Sequence, residues 1–460
     1  MSPTLIPPTT TTTNQPTNQG LTAGIITMAT SRTSLRAFLV YAKSAIETAI
    51  DSNQRITFVI GNESADLDSM TSSILFAFVR SMAPPRNTFT NLYVPVTNIP
   101  YSGIQLRPEF LALLPHANIE PQHLITLDDL PDMSVIKSKI LPENTRWILV
   151  DHNALQGQLG KIYSDRVAGV IDHHEDENKF PDDTGSEPRV IKKAGSCTSL
   201  VTEYCREAWD LLSGSATSSG AAHAQRDRLS DGAAGAKLWD AQVAQLGLAS
   251  ILIDTANLQS KDKITEHDTQ AVEYLEAKIM SCPQLSAKFD RSKFYKEIDS
   301  AKKDIGGLKL QDILRKDYKQ WNERGQKLGI SSVVMPIDFI QKKAGKEANT
   351  QSLDEAYLEE LRKFREDQDL DLFTVMTTST SSEGEFQREL LVWAFTDNAI
   401  SAARKFAADA REELGLEDWH GSGGTTHDHH GEKQWRKVWW QRNVQHSRKR
   451  VAPLLREAMS

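Results

Sequence analysis

Acids and imidazoles that follow short apolar runs are the residues of this chain best suited to chemistry. The run 167–171 leads into Asp172-His173-His174, and Trp147-Ile148-Leu149-Val150 leads into Asp151-His152-Asn153. Ile251-Leu252-Ile253 leads into Asp254-Thr255, and the run 56–60 leads into Gly61-Asn62-Glu63-Ser64-Ala65-Asp66-Leu67-Asp68. Apolar runs of this length read as buried strands. In an open α/β sheet the carboxyl ends of such strands border the ligand crevice. Each of these ends delivers a carboxylate. Clustered buried carboxylates repel one another and need a cation, so Asp66, Asp68, Asp151, Asp254 and His173 make a ligand set for two divalent ions, with one carboxylate bridging. Asp68 or Asp254 taken singly reads as a helix N-cap. The recurrence at several strand ends favours metal.

The elements that must position these residues follow from the pattern around them. The stretch after Ser34 has helical apolar spacing, and strands alternate with helices as far as about residue 260, which implies a parallel sheet. The run 70–82 reads as a helix with Ser69 at its amino end, beside the acidic loop, where backbone N–H groups could seat phosphate. Lys192-Lys193-Ala194-Gly195-Ser196-Cys197-Thr198-Ser199 opens another helix over 200–211 and makes a second such seat, with Ser196 as a candidate substrate contact. Cys197 reads as a packed small residue, because a metal-activated water needs no protein nucleophile. Segments 91–96 and 123–127 are weaker strand candidates, and His116 and His123, with no acidic partners in view, read as structural. Farther on, 330–335, 372–377 and 390–395 are strand candidates of a second region. Lys261, or its neighbour Lys263, is a candidate substrate contact after Asp254.

Two patterns invite over-reading. Thr426-His427-Asp428-His429-His430 repeats the Asp-His-His triplet, but it follows a glycine-rich stretch with no strand leading in, so adventitious metal binding is its expected behaviour. Trp435, Trp439 and Trp440 could serve as a base-stacking platform. At helical spacing they read instead as core on one side, with Lys433, Arg436, Lys437 and Arg442 as a basic face that extends a phosphate channel.

The whole chain has 460 residues, 39% hydrophobic and 25% charged, as expected of a two-domain globular protein. Its net charge of -8 argues against sequence-blind nucleic-acid binding. No apolar run is long enough to span a membrane, and the 3 cysteines fit a reducing compartment. Residues 1–30 read as a disordered tail with neither a secretory nor a transit signal, which implies a cytoplasmic protein, although initiation at Met28, ahead of Arg32 and Arg36, would give a more basic amino end. Segment 213–236 is low in complexity and reads as an exposed insertion. The domain boundary reads near 285, giving 31–285, which carries the acidic strand ends, and 286–460.

The segments GNESADLDS, LVDHN, VIDHHEDE, GSCTSLV and ILIDT, in that order, resemble the motifs of the DHH phosphoesterase superfamily. The match is to its fungal exopolyphosphatase branch, which is similar to the family II inorganic pyrophosphatases, and it covers about residues 31–460. The resemblance implies an α/β protein with an N-terminal parallel-sheet DHH domain, a smaller C-terminal α/β DHH-associated domain and an active site in the cleft between them. It implies a metal-binding catalytic role for 31–285 and a substrate-binding role for 286–460. It further implies that Lys319, in Asp317-Tyr318-Lys319, and Arg448 and Lys449, in Ser447-Arg448-Lys449, grip phosphate, a role suited to a compact ammonium and a planar guanidinium. His174 is expected to touch phosphate and to donate a proton to the leaving oxygen. Where the pyrophosphatases have a His in the first motif this chain has Asn62, a harder, oxygen-bearing metal ligand that argues for Mg²⁺ over Mn²⁺. The implied activity is release of terminal orthophosphate from inorganic polyphosphate by a monomer that uses neither nucleic acid nor membrane. Inorganic pyrophosphatase is the near alternative, and a DHH nucleotide phosphodiesterase the more distant one.

Overall fold

Five strands build the first sheet, all parallel: β1 (Ile56–Ile60), β2 (Tyr93–Val96), β3 (Thr145–Val150), β4 (Val167–Asp172) and β5 (Arg189–Ile191), in the order β2-β1-β3-β4-β5. Every residue of β1 and β2 is buried, which is why these strands are continuous apolar runs rather than alternating ones. The chain leaves β1 toward β2 on one side and reaches β3 on the other. That reversal opens a crevice at the carboxyl ends of β1 and β3. The computed structural model describes residues 32–180, 182–218, 226–381, 383–421, 428–431 and 433–460, with side chains of 215–233 excepted; the expected tail at 1–30 lies outside them. Arg32–Ser460 is one compact unit.

Helices cover this sheet: α1 (Leu35–Ser52), α2 (Leu67–Met82), α3 (Cys197–Ser218), α4 (Arg226–Asp254), α5 (Glu266–Met280) and α6 (Arg291–Lys303). Their apolar residues share one core with the strands, which reaches from Leu35 to Ile298. Several expectations change here. Ile251-Leu252-Ile253 is the last turn of α4, so Asp254 ends a helix and not a strand. A short apolar run fits either period, and the flanking helix decides. Segment 123–127 holds 3₁₀ turns, with only Thr126 bridging to Thr97. The ends of the 213–236 insertion, to Ser218 and from Arg226, are helical, and its centre lies outside the described residues. His116 does meet an acid: its Nε2 is 3.1 Å from Glu297.

The second region is a mixed sheet of seven strands. β6 (Tyr318–Glu323), β7 (Gln326–Val333), β8 (Leu372–Thr377), β9 (Glu389–Ala394), β10 (Leu416–Asp418), β11 (His429–His430) and β12 (Trp435–Gln441) run across it in the order β10-β12-β9-β8-β7-β6, with β11 paired to β12. Alternation on β8 and β9 splits the apolar side chains between two faces. Leu372, Met376, Leu390 and Val392 meet α9 (Asp397–Asp409) and α10 (Arg448–Met459). Phe373, Val375, Leu391 and Trp393 meet α7 (Ile337–Ala348) and α8 (Leu353–Asp367). The tryptophans expected on a helix lie on β12, a strand: Trp435 and Trp439 fill the first face, and Trp440 leans on the second. Charged side chains join this region to the first. Lys316 is 2.6 Å from the buried Glu109, and Lys449 reaches the crevice itself.

Candidate active site

The loop after β1 is bent to bring two carboxylates into the crevice. Ala65 has φ +43° and Asp151, just past β3, has φ +61°, left-handed backbone that costs on the order of 1 kcal/mol for a residue with a side chain. The buried Arg107 braces the first of these, its guanidinium donating to the Ala65 carbonyl at 3.0 Å and to the Ser64 carbonyl. Gly61 is needed because a Cβ there would lie 2.6 Å from the Cβ of Ser69. Asp66 is the N-cap of α2, accepting from the Ser69 N–H at 3.0 Å, so the helix begins earlier than the expected 70–82. Asp68 sits on the amino end of α3. It accepts from the Cys197 and Thr198 N–H groups at 2.6 and 2.9 Å and from the hydroxyls of Ser196 and Thr198 at 2.7 Å each. Both helix ends that the sequence offers to phosphate are thus filled by the protein's own carboxylates, helped by Asp268 at the Gly195 N–H. Ser196 spends its hydroxyl on Asp68 and is fully buried, so it does not face substrate.

Asp172 organises the triplet at the end of β4. Its Oδ1 accepts from the N–H groups of His173 and His174 and, at 2.7 Å, from Nδ1 of His174, while Oδ2 accepts from Asn153 at 2.6 Å. Burial opposes its charge, but His174, His173 and Asn153 hold its pKa well below the usual range. The Ala194 carbonyl takes the Nδ1 proton of His173 at 3.0 Å. Nε2 of His173 therefore faces Asp151 at 3.1 Å, Asp68 at 3.7 Å and the ammonium of Lys449 at 2.8 Å. Burial pushes His174 down to about 3, so it is a neutral imidazole protonated on Nδ1. Its Nε2 is an acceptor, which departs from the expected proton donor.

The four acids converge, and the candidate ligand that stands apart from them is an amide. Burial and the nearby Asp66 and Asp68 raise Asp151 to about 7, and burial and Asp68 raise Asp254 to about 8. Asp66 and Asp68 are brought below the ordinary range against burial, the first by Lys319, the second by His173 and its hydrogen bonds. Oδ2 of Asp254 is buried without a partner. Two carboxyls pushed up by burial beside two that stay ionised, an orphaned carboxylate oxygen and an imidazole nitrogen turned toward them fit divalent cations. Among the described residues Asp151, His173 and His174 form the group whose ligand atoms lie within 4.8 Å of one another. That amide is Asn62. Its oxygen accepts from the N–H and hydroxyl of Ser64 at 2.9 and 2.6 Å, and its amide nitrogen donates to Asp151 at 2.7 Å. Its amide thus holds Asp151 on one side and Ser64 on the other.

Cations face this cluster from the second region. Lys319 on β6 acts on Asp66 and Asp151. Arg448 is clamped by the Asp317 carboxylate at 2.6 Å and carbonyl at 2.9 Å. Arg448 and Lys449 occupy the first turn of α10, which carries no acid, although a helix amino end repels cations and attracts anions. Lys261 and Lys263 are both exposed turn residues, and of the two it is Lys263 whose charge acts with Asp254, Arg388, Lys302 and Lys449. Lys302, Arg388 and Arg107 belong to no motif, and Asn153, inside the LVDHN segment, is given no role of its own. Sequence offered no signal for them beyond their charge or polarity.

Donors for divalent cations beneath a ring of ammonium and guanidinium groups define a hydrolase of phosphorus esters or anhydrides. The DHH family, N-terminal domain, matches residues 56–225, and the DHHA2 domain matches residues 296–458. A Schizosaccharomyces pombe protein named as an exopolyphosphatase is 31% identical over 412 residues, covering 90% of this chain and 93% of its own. Exopolyphosphatase PRUNE1 of Homo sapiens is 26% identical, covering 90% of this chain and 77% of that protein. The manganese-dependent inorganic pyrophosphatase of Methanothrix thermoacetophila is 26% identical over 329 residues, 71% of this chain and 82% of its own. In fold, a Methanococcus jannaschii structure titled as a family II inorganic pyrophosphatase superposes with TM-score 0.51 at 19% identity, covering 88% of this chain and 99% of that one. The chain belongs to the DHH phosphoesterase superfamily, on its exopolyphosphatase branch.

Proposed function

We propose that this protein is an exopolyphosphatase that removes terminal orthophosphate from inorganic polyphosphate. The observation that carries the reading is the cluster of Asp66, Asp68, Asp151, His173 and Asp254 at the β1/β3 crevice, covered by Lys319, Arg448 and Lys449. Those five residues would hold two divalent ions, which lower the pKa of a bound water so that it is nucleophilic at neutral pH. With Asn62 withdrawn, the donors are carboxylates and one imidazole, an oxygen-rich set that suits Mg²⁺. Lys319, Arg448 and Lys449 would bind the terminal phosphoryl oxygens and stabilise charge as it develops on them. Asp172 fixes the ring of His174, whose Nε2 would accept a hydrogen bond from the attacking water or a protonated phosphate oxygen. Lys263, Lys302 and Arg388 continue the cationic lining and would carry the remaining chain.

In this reading the catalytic and substrate-binding domains meet between Ile298 and Ile305, where the first core ends and the next begins, somewhat later than residue 285. The protein would act as a cytosolic monomer on polyphosphate rather than on nucleic acid. No described helix is long and apolar enough to cross a membrane. The test is orthophosphate release with Mg²⁺ from long-chain polyphosphate and from pyrophosphate at equal terminal-phosphate concentration. Release from the polymer alone supports the proposal. Release from pyrophosphate alone makes the protein a pyrophosphatase, and release from neither sinks both readings and directs attention to dinucleotides.

A further inference from the structure

We propose that Arg55, Arg146 and Arg166 form a second binding site for the phosphate chain, at the edge of the first sheet opposite the crevice. The inference rests on the polyphosphate reading and adds a foothold for chain far from the reacting end. Arg55 immediately precedes β1, Arg146 is paired with Thr57 near the start of β3, and Arg166 immediately precedes β4. Parallel strands carry all three to the amino edge of the sheet. The guanidinium carbons of Arg55 and Arg146 lie 5.0 and 5.3 Å from the centre of one ring, Phe89. Arg166 is braced beside them, donating to the Thr145 and Glu143 carbonyls at 3.2 and 3.1 Å.

Among the described residues none of the three makes an ion pair with a carboxylate. Arg146 is less basic than usual, through burial first and then through Arg166 and Arg55, so the charges acting on it are positive. Gathering like charges without an acid is unfavourable unless an anion is bound, and it is unexpected in a chain with 61 acidic and 53 basic residues. Guanidinium forks suit phosphate oxygens. Phe89 already serves two guanidinium groups and is not offered to a base, which favours a chain of bare phosphates over nucleic acid. β1 spans five residues, and at about 3.3 Å per residue the two edges are on the order of 17 Å apart. A long chain can reach both edges, and tripolyphosphate cannot.

The experiment compares the whole protein with Arg55→Gln/Arg146→Gln and with Arg55→Glu, an exposed position. Arg166 is left in place because it also holds two carbonyls. Orthophosphate release is followed from long-chain polyphosphate and from tripolyphosphate, and filter retention is measured for the long chain and for a single-stranded DNA oligonucleotide. We expect KM for the long chain to rise about tenfold, with tripolyphosphate kinetics unchanged. The slope of log K for long-chain binding against log salt concentration should become shallower by about 0.7 for each phosphate that an arginine no longer neutralises. An unchanged long-chain KM in active variants overturns the inference. So does DNA retained through these arginines as well as the long chain is, which makes the patch a nucleic-acid site. If the wild type hydrolyses neither phosphate, the active-site reading is what has failed, and retention of the long chain by wild type against variants still decides the patch.

Discussion

Asp172-His173-His174 and Asp428-His429-His430 are the same tripeptide in two settings. The first ends a buried strand of a parallel sheet, and both of its imidazoles have Nδ1 fixed by an acceptor, the Ala194 carbonyl for His173 and Asp172 for His174. Their Nε2 atoms are thereby left for the crevice. The second forms the two-residue strand β11, with both histidines exposed. Its Asp428 accepts from the Val438 N–H and lies 3.3 Å from Lys437, with His430 4.0 Å away. A metal-binding imidazole is made by the partner that fixes its tautomer and by the strand that aims it, not by the triplet itself.

The sharpest way to break this comparison is to remove one imidazole from each triplet. His173→Ala should abolish orthophosphate release and weaken Mg²⁺ binding measured calorimetrically, while His429→Ala should leave both as in the wild type. Comparable losses from the two would mean that the exposed triplet contributes to the site. Next in size is Asp172→Asn, which keeps the shape but loses the carboxylate that orders His174 and Asn153. A fall of about 10–100-fold in activity or metal affinity is expected. Asp428→Asn, at the matched position, should show none.

Part of this contrast was legible in the sequence, and physical reasons separate that part from the rest. β1, β3 and β4 were readable because both faces of a parallel strand are buried, which leaves uninterrupted apolar runs that end abruptly in acid. The run before Asp254 looks the same over three residues, yet it belongs to the 29-residue helix α4, whose earlier turns are too rich in Gly, Ala and Ser to show an apolar stripe. Trp435 and Trp439 are four apart, a spacing that suits one helix face and one strand face alike. For Asn62 the sequence offers a metal ligand, and only the fold shows Ser64 donating to its oxygen. Lys302 and Arg388 were invisible because nothing local distinguishes them from surface cations.

Two lysines of the second region extend the comparison, Lys449 on α10 and Lys437 on β12. Lys449 touches His173 across the crevice, whereas Lys437, beside the exposed triplet, is 3.0 Å from Asp418 and 3.3 Å from Asp428. Lys449→Ala should cost about 1.5–3 kcal/mol of transition-state binding, read as a loss of roughly 10–150-fold in kcat/KM. Lys437→Ala should leave kcat/KM unchanged. A loss on Lys437→Ala would show that the basic side of β12 extends the phosphate channel after all.

The smallest effect is expected at Cys197, the one residue near the first triplet that could rival metal-activated water as the nucleophile. It is fully buried, and its thiol donates to the Ile171 carbonyl at 3.2 Å. Burial, then the charges of Asp68, Asp151 and Asp172, raise its pKa well above the ordinary thiol value. A thiol that does not ionise does not attack phosphorus. Cys197→Ser retains a donor for Ile171 and should lower stability by about 1 kcal/mol, read as a fall in thermal midpoint, with the rate of orthophosphate release unchanged. A variant that keeps its thermal midpoint and loses activity would point to covalent chemistry at Cys197. The five residues proposed to hold metal would then serve to bind substrate rather than to generate the nucleophile.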